Sequence, residues 1–394
     1  MHLNEVKKIY EQYVLPTYTR QDLCLVKGDG IWVEDSEGNK YIDFFPGWAV
    51  SGIGHRHPRV IKRASEQLDK ILHVSNNYYN ELQGLVAEKI IKHSFPGKVF
   101  FANSGAEANE GAIKLARCYG SPSRYEIITM EKSFHGRTLA TLTATGQDKV
   151  KQGFSPLPEG FKHVPFNDIT AFKNAVTDKT VAVMLEGVQG EGGINVADKE
   201  YIRQLSELCR KKDILLIFDE VQTCMGRTGE MFVYKHFGIE PDAITLAKSL
   251  GGGFPIGAMV VNDRKKDVLK AGSHASTFGG SPIVCAAALG VFEAIEEDGL
   301  LNNTRKMGEY LVASILKLKE SYSIIDGIRG LGLMIGVKMD MEDASIVADE
   351  CFKQGLLINC TQKNILRIMP PITVTKEDID IAVEKLSNAL EKIT

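Results

Sequence analysis

Ile214-Leu215-Leu216-Ile217-Phe218-Asp219-Glu220 is a run of apolar residues closed by two carboxylates. A run this short, apolar at every position rather than every second one, reads as a strand covered on both faces and so belongs to a largely parallel sheet. The same text recurs on either side. Val181-Ala182-Val183-Met184-Leu185 ends in Glu186, and Ala243-Ile244-Thr245-Leu246-Ala247 ends in Lys248. Farther out lie Val99 to Ala102, Glu126 to Met130 and Ile256 to Val261, separated by segments of helical period. Between Lys98 and Val261 this alternation predicts an α/β domain with a mostly parallel central sheet.

Upstream, Ile31-Trp32-Val33 and Tyr41-Ile42-Asp43-Phe44 flank a turn at Asp35 to Asn39 and predict a hairpin. Pro58 opens a helical pattern that runs to Leu72, and a second spans about Tyr79 to Ile91. Downstream, the pattern gives helices over 282–295 and 301–320, strands within 324–339, a helix over 343–354, a hairpin at Thr361-Gln362-Lys363-Asn364 and a last helix over 376–392. The expected division is an N-terminal segment, 1–50, packing with a small C-terminal α+β domain, 296–394, and a large domain, 51–295.

With 394 residues, 44% apolar and 25% charged, the composition is ordinary for a globular protein and disfavours disorder, collagen and coiled coil. A net charge of −3 gives no general grip on nucleic acid or an anionic membrane, so small-molecule partners are expected. Seven scattered cysteines form no CxxC pair, which argues against a disulfide framework and against a metal site. Met1 to Tyr10 carries charge and no apolar stretch of signal-peptide length. The expectation is a soluble, cytoplasmic protein.

In open α/β sheets ligands gather beyond the carboxyl ends of the strands, so the residues closing each apolar run carry the chemistry. Val99 to Ala102 leads into Asn103-Ser104-Gly105-Ala106-Glu107 and a helix, where small residues expose backbone N–H groups to an anion such as a phosphate. A plain N-cap would look the same. Asp219, closing a buried strand, is costly to ionise without a cation or several donors. Helix capping is its ordinary alternative, and Glu220 should point to the opposite face. Lys248 follows a buried strand and precedes Gly251-Gly252-Gly253, a setting in which desolvation lowers an amine's pKa and makes it a nucleophile. Glu186 adds a carboxylate at the same sheet edge. An anion turn, an aspartate in need of a cation and an imine-forming lysine on one edge are the three groups that pyridoxal phosphate requires.

The strings Asn103 to Asn109, Phe134-His135-Gly136-Arg137-Thr138, Asp219-Glu220-Val221-Gln222-Thr223, Ala247-Lys248 and Ser276-Thr277-Phe278-Gly279-Gly280 resemble, in order and over nearly the whole chain, the class III pyridoxal phosphate aminotransferases. That resemblance implies a fold type I transferase and an obligate homodimer with shared active sites. It implies that Lys248 holds the cofactor and later moves the proton, that Asp219 pairs with the pyridine nitrogen, and that Phe134 and Val221 lie on opposite faces of the ring. Gln222 would bond the phenolic oxygen. Ser104, Gly105 and Ala106 would hold the phosphate, with Thr277 reaching over from the second subunit and Ser276 near the substrate.

Within the class, Gly54-His55-Arg56-His57-Pro58, His73 to Asn80, Gly355 to Asn359 and Leu366 to Pro371 resemble the members that act on acylated ornithine in arginine biosynthesis. The implied reaction moves the terminal amine of N2-acetylornithine to 2-oxoglutarate. Succinylornithine or succinyl-diaminopimelate stands as an alternative donor. Ornithine-using members carry a tyrosine near Gly47 or Trp48, and none is seen here. Arg137 and Arg367 are expected to take the substrate carboxylates, because a guanidinium fork matches a carboxylate. Glu186 is expected to pair with Arg367 when no carboxylate is there. His55, His57 and His135 are expected to serve packing or hydrogen bonding. A nicotinamide dehydrogenase would also be α/β, but Gly330, Gly332 and Gly336 miss the GxGxxG spacing. A non-catalytic binding protein would have no use for Lys248 and Asp219 on one edge.

Overall fold

The apolar runs lie side by side in one seven-stranded sheet in the computed structural model, which describes residues 1–393. The strand order is Gly97–Ala102, Gly257–Asn262, Ala243–Leu246, Leu215–Asp219, Thr180–Leu185, Glu126–Met130, Phe161–Val164. Gly257–Asn262 runs antiparallel to both neighbours, and the remaining pairs are parallel. The mostly parallel sheet read from the sequence is therefore present. Phe161–Val164 was not anticipated. It is an edge strand of four residues, interrupted by Lys162 and His163, and so lacks the continuous apolar text of the buried strands.

Each central strand divides its side chains between two cores. Leu215 and Ile217 join Ala112, Leu115 and Ala116 of the helix Gly105–Gly120. Leu216 and Phe218 face the other way, into a larger core shared with Ile202 and Leu205 of the helix Lys199–Lys212. Because side chains alternate along a strand, Asp219 continues the face of Leu215 and Ile217, while Glu220 continues the opposite one.

The N-terminal strands Leu25–Asp29, Trp32–Asp35 and Lys40–Asp43 form an antiparallel meander whose turn is held by Asp35, which accepts from the Glu37 and Asn39 amides at 2.9 Å each. Leu356–Leu357, far away in sequence, extends this sheet by pairing parallel with Lys40–Asp43. A further antiparallel sheet orders Ile325–Leu331, Met334–Met339, Ile365–Ile368 and Asn359–Thr361. The helices Leu300–Ser321, Ser345–Lys353 and Lys376–Glu391 accompany it. Thr394, the last residue of the expected 296–394 domain, lies outside the described residues.

Two helices differ from the sequence reading. Pro58–Leu68 stops before the expected Leu72, with Gln67 Nε2 donating to the Ile71 carbonyl beyond its end. Leu3–Tyr13 is helical, with Leu3, Val6, Tyr10 and Tyr13 at helical spacing, although it buries no residue within the chain and the sequence reading leaves it as a polar opening. Among the described residues no helix is long and apolar enough to cross a membrane.

Candidate active site

The carboxyl ends of the central strands open on a cavity of about 480 Å³. Asp219 lines it and is 4% exposed. Its Oδ1 accepts from the Val221 amide at 3.0 Å, and its Oδ2 accepts from Asn109 Nδ2 at 2.7 Å and lies 2.8 Å from His135 Nδ1. Asn109 comes from the helix on the face that Asp219 shares, and its own Oδ1 accepts from Thr245 Oγ1 at 2.6 Å. The aspartate thus has several donors, the condition the sequence set for a buried charge at that position. It is not a helix cap.

Lys248 follows Ala243–Leu246 and lines the same cavity. Its φ of +46° is left-handed, a conformation that costs a non-glycine residue on the order of 1–3 kcal/mol and is held at sites where geometry matters. Among the described residues no hydrogen bond or ion pair engages its amine, and burial lowers its pKa, with Glu191, Asp219 and Glu186 pulling the other way. An unpartnered, desolvated amine is a nucleophile in waiting.

Ser104 caps the helix Gly105–Gly120, its Oγ accepting from the Glu107 amide at 3.2 Å. The capping alternative is present and is compatible with the anion reading, since Ser104, Gly105 and Ala106 at the start of that helix line the cavity. A Cβ on Gly105 would sit 2.7 Å from Val221 Cγ1, so only glycine lets that turn close over Val221. Phe134, Arg137 and Gln222 also line the cavity. The Arg137 guanidinium lies 5.5 Å from the Phe134 ring centroid. Trp48 and Ala49, with left-handed φ of +55° and +67°, form a wall beside Gln222, whose Nε2 donates to the Trp48 carbonyl at 3.5 Å.

The expected pairing of Glu186 with Arg367 is not what the structure shows. Glu186 accepts from the Phe134 amide at 3.0 Å and the Gly190 amide at 3.2 Å, and burial pushes its carboxyl up to about 7. Arg367, 2% exposed, instead pairs with Glu191, whose Oε1 lies 2.5 Å from its Nη1. Asn359 Oδ1 accepts from Arg367 Nε at 2.9 Å and from Nη2 at 2.6 Å, and the guanidinium stacks 4.7 Å from the Phe45 ring. Glu191 lines the cavity, and Arg367 lies beyond it. Two glutamates follow the same strand, and the sequence could not tell which one the chain turns toward the arginine.

Thr277 and Ser276 stand outside this cavity. Ser276 Oγ accepts from the Gly279 amide at 3.1 Å and from Asn103 Nδ2 at 3.2 Å, while Thr277 is exposed beside it. His135 has the hydrogen-bonding duty expected of it, but its partner, Asp219, was not foreseen. It sits between Phe134 and Gly136 in a string already singled out, but its contact with Asp219 joins two strand ends that no spacing rule connects.

The model for the class III aminotransferases matches residues 14–390. The chain belongs to the class III aminotransferases. It is 50% identical to the acetylornithine aminotransferase of Caldanaerobacter subterraneus subsp. tengcongensis over 97% of this chain and 98% of that one. It is 48% identical to that of Methanocaldococcus jannaschii over 97% of both. Among solved structures, ornithine aminotransferase from Toxoplasma gondii superposes with a TM-score of 0.95 at 30% identity, over 100% of this chain and 96% of that one. Acetylornithine aminotransferase from Elizabethkingia anophelis gives 0.89 at 30% identity over the whole of both chains.

Class III aminotransferases use pyridoxal phosphate, and the residues of this aminotransferase fit that group. Gln222 Oε1 is buried without a hydrogen-bond partner, Lys248 has an unpartnered amine, and a capped helix of 16 residues begins at the cavity wall. Each is a polar demand that the chain leaves open. The aldehyde, ring substituents and phosphate of that cofactor would answer them together.

Proposed function

We propose that this aminotransferase moves the terminal amine of N2-acetylornithine to 2-oxoglutarate, giving N-acetylglutamate 5-semialdehyde and glutamate, as a step of arginine biosynthesis. Acetylornithine aminotransferases at 42–50% identity over nearly the full chain support the substrate. The observation that carries the mechanism is the half-buried, unpartnered Lys248 facing the same cavity as a fully hydrogen-bonded Asp219.

When bound, pyridoxal phosphate supplies an aldehyde for the amine and a protonated ring that withdraws electrons from the neighbouring carbon. Asp219, held in place by Asn109, His135 and the Val221 amide, would be the group facing the ring nitrogen. Phe134 and Val221 would confine the ring, Gln222 would lie at its phenolic oxygen, and Ser104, Gly105 and Ala106 would hold the phosphate at the helix N-terminus. Lys248 Nζ would be the base that moves a proton off the amine-bearing carbon of the substrate.

Two donors of different length share this cavity. Glutamate reacts at its α-amine and places its α-carboxylate on Arg367, displacing Glu191, while Arg137 takes its γ-carboxylate. Acetylornithine reacts at its far end, so Arg137 takes its α-carboxylate and Glu191 stays on Arg367. The pair is needed because an uncompensated buried charge costs about 3–5 kcal/mol. Thr277, exposed on this chain, serves the site of a second copy in a cytoplasmic homodimer, with half-buried Ser276 beside it.

The purified protein should be yellow, bleach with glutamate, and carry the cofactor covalently at Lys248 after borohydride. K248A should slow both half-reactions by about 10²–10⁴-fold, the range of a general acid–base residue. E191Q should slow the acetylornithine half-reaction roughly tenfold or more beyond any effect on the glutamate one. Equal losses in E191Q would refute the two-donor arrangement, and a colourless protein with no reducible adduct would refute the reading itself.

A further inference from the structure

The hairpin that carries Arg367 also reaches back to the residue that guards it. Asn359–Thr361 and Ile365–Ile368 pair antiparallel, and the turn between them places Gln362 at φ +50° and Lys363 at φ +66°. A hairpin turn left-handed at both central residues is made without strain by asparagine and glycine. Gln362 and Lys363 are neither, and the asparagine of this turn, Asn364, falls one place later. Two side chains at this tip converge on one acceptor: Thr361 Oγ1 and Gln362 Nε2 each donate to the Glu191 carbonyl at 2.9 Å. Arg367 Nη1 donates to the Gly190 carbonyl at 3.2 Å, and Arg329 donates twice to the Gly193 carbonyl, from Nε at 2.8 Å and Nη2 at 2.6 Å. The short segment bearing Glu191 is thus held at three carbonyls by the C-terminal sheet, in addition to its carboxylate on Arg367.

We propose that Thr361 and Gln362 are positioning residues for the two-donor reaction: by fixing the Glu191 backbone they set how readily its carboxylate leaves Arg367, and therefore how the enzyme balances its two donors. The inference rests on the two-donor reading of Glu191 given above. A backbone anchored on the hairpin that carries Arg367 keeps the carboxylate aligned with the guanidinium, and an incoming α-carboxylate must compete with an arrangement already organised. Releasing the anchor leaves the ion pair its charge and removes part of its alignment. Glutamate gains, and acetylornithine loses.

The test uses the cofactor-loaded enzyme and glutarate, a dicarboxylate without an amine, so that binding is read without turnover. The double variant T361V/Q362G removes both side-chain donors, and glycine suits the left-handed turn, so the fold is retained. Calorimetry should show glutarate binding about threefold to tenfold tighter, the effect of one or two net hydrogen bonds. Single-turnover rates should move the glutamate-to-acetylornithine ratio in the same direction. Q362N, which accepts the left-handed backbone but is one methylene too short to reach Glu191, should show the shift of Q362G.

E191Q serves as the reference. If it shifts both readouts and the double variant shifts neither, the clamp is wrong and the two-donor reading stands. If E191Q itself shifts neither, that reading fails and takes the clamp with it. An equal fall in both half-reactions with unchanged glutarate affinity would assign the tip to folding alone. Should the double variant not fold, R329M, which frees the Gly193 carbonyl, and Q362N each report the same shift singly.

Discussion

At the scale of the residue, the site turns on how a charge is held in a dry place. Asp219 owes its fitness to Asn109, His135 and the Val221 amide, and of these only Asp219 itself was legible, because a carboxylate closing a buried strand is conspicuous in any sequence. Lys248 and the small residues at Ser104 to Ala106 were legible for the same reason. For His135 the hydrogen-bonding duty was legible but not its partner, which comes from a strand end elsewhere in the chain, and Glu191 was not legible, since two glutamates followed one strand. His135 Nε2 is buried without a partner, so the ring is held for what Nδ1 does. His135→Leu removes one donor from the carboxylate and loosens its placement in the cavity. Both half-reactions should slow alike, by about tenfold or more, as expected for a hydrogen bond to a charged group, and His135→Asn should recover most of the loss. Stopped-flow rates with each donor check this, and an effect confined to one donor would contradict it.

Among the elements, those buried on both faces were read nearly to the residue, and those at an edge or resting on nothing were missed, as Phe161–Val164 and Leu3–Tyr13 show. Apolar text records burial, and these elements have little. The expectation that Glu220 faces away from Asp219 has a structural consequence. Its carboxylate, fully buried, accepts from Thr223 Oγ1 at 2.5 Å, the Val233 amide at 2.9 Å and the Tyr234 amide at 3.0 Å, and so ties the loop after Leu215–Asp219 back on itself. Burial outweighs these donors and raises its pKa from 4.5 to about 7. Between those values the folded chain holds a proton that the unfolded chain has released, so stability falls as pH rises through the window. Glu186 adds to the same trend. Thermal unfolding of the cofactor-free protein between about pH 5 and about pH 7.5 should show the decline, and Glu220→Gln should flatten it while lowering stability at the acid end, where an amide N–H meets a backbone N–H. Identical slopes in the two proteins would place the titration elsewhere.

For the whole molecule, contacts distant in sequence decide the form, and no local pattern announced that Leu356–Leu357 would complete the N-terminal sheet. The surface is equally telling. Thr277 and Phe278 stand exposed against the segment from Ile71 to Asn80, with Asn76 Nδ2 donating to the Ser276 and Gly279 carbonyls at 3.0 and 3.1 Å and the His73 and Phe278 rings 5.1 Å apart. Ile71, Leu72, Tyr78 and Tyr79 of that segment are exposed too, forming an apolar face of the sort that marks an interface. The helix Leu3–Tyr13, which buries nothing in its own chain, is short enough to need a covering surface. In the homodimer proposed above, a second copy would cover both, and Thr277, which does not line the cavity of its own chain, would serve the phosphate of the other. Chains carrying Lys248→Ala and chains carrying Thr277→Ala, each weak alone at limiting pyridoxal phosphate, should then regain activity when unfolded, mixed and refolded together. In a mixed dimer one site receives an intact lysine from one chain and an intact threonine from the other, while its twin receives neither. Were Thr277 to serve its own chain, every site in the mixture would lack one of the two, and no activity would return.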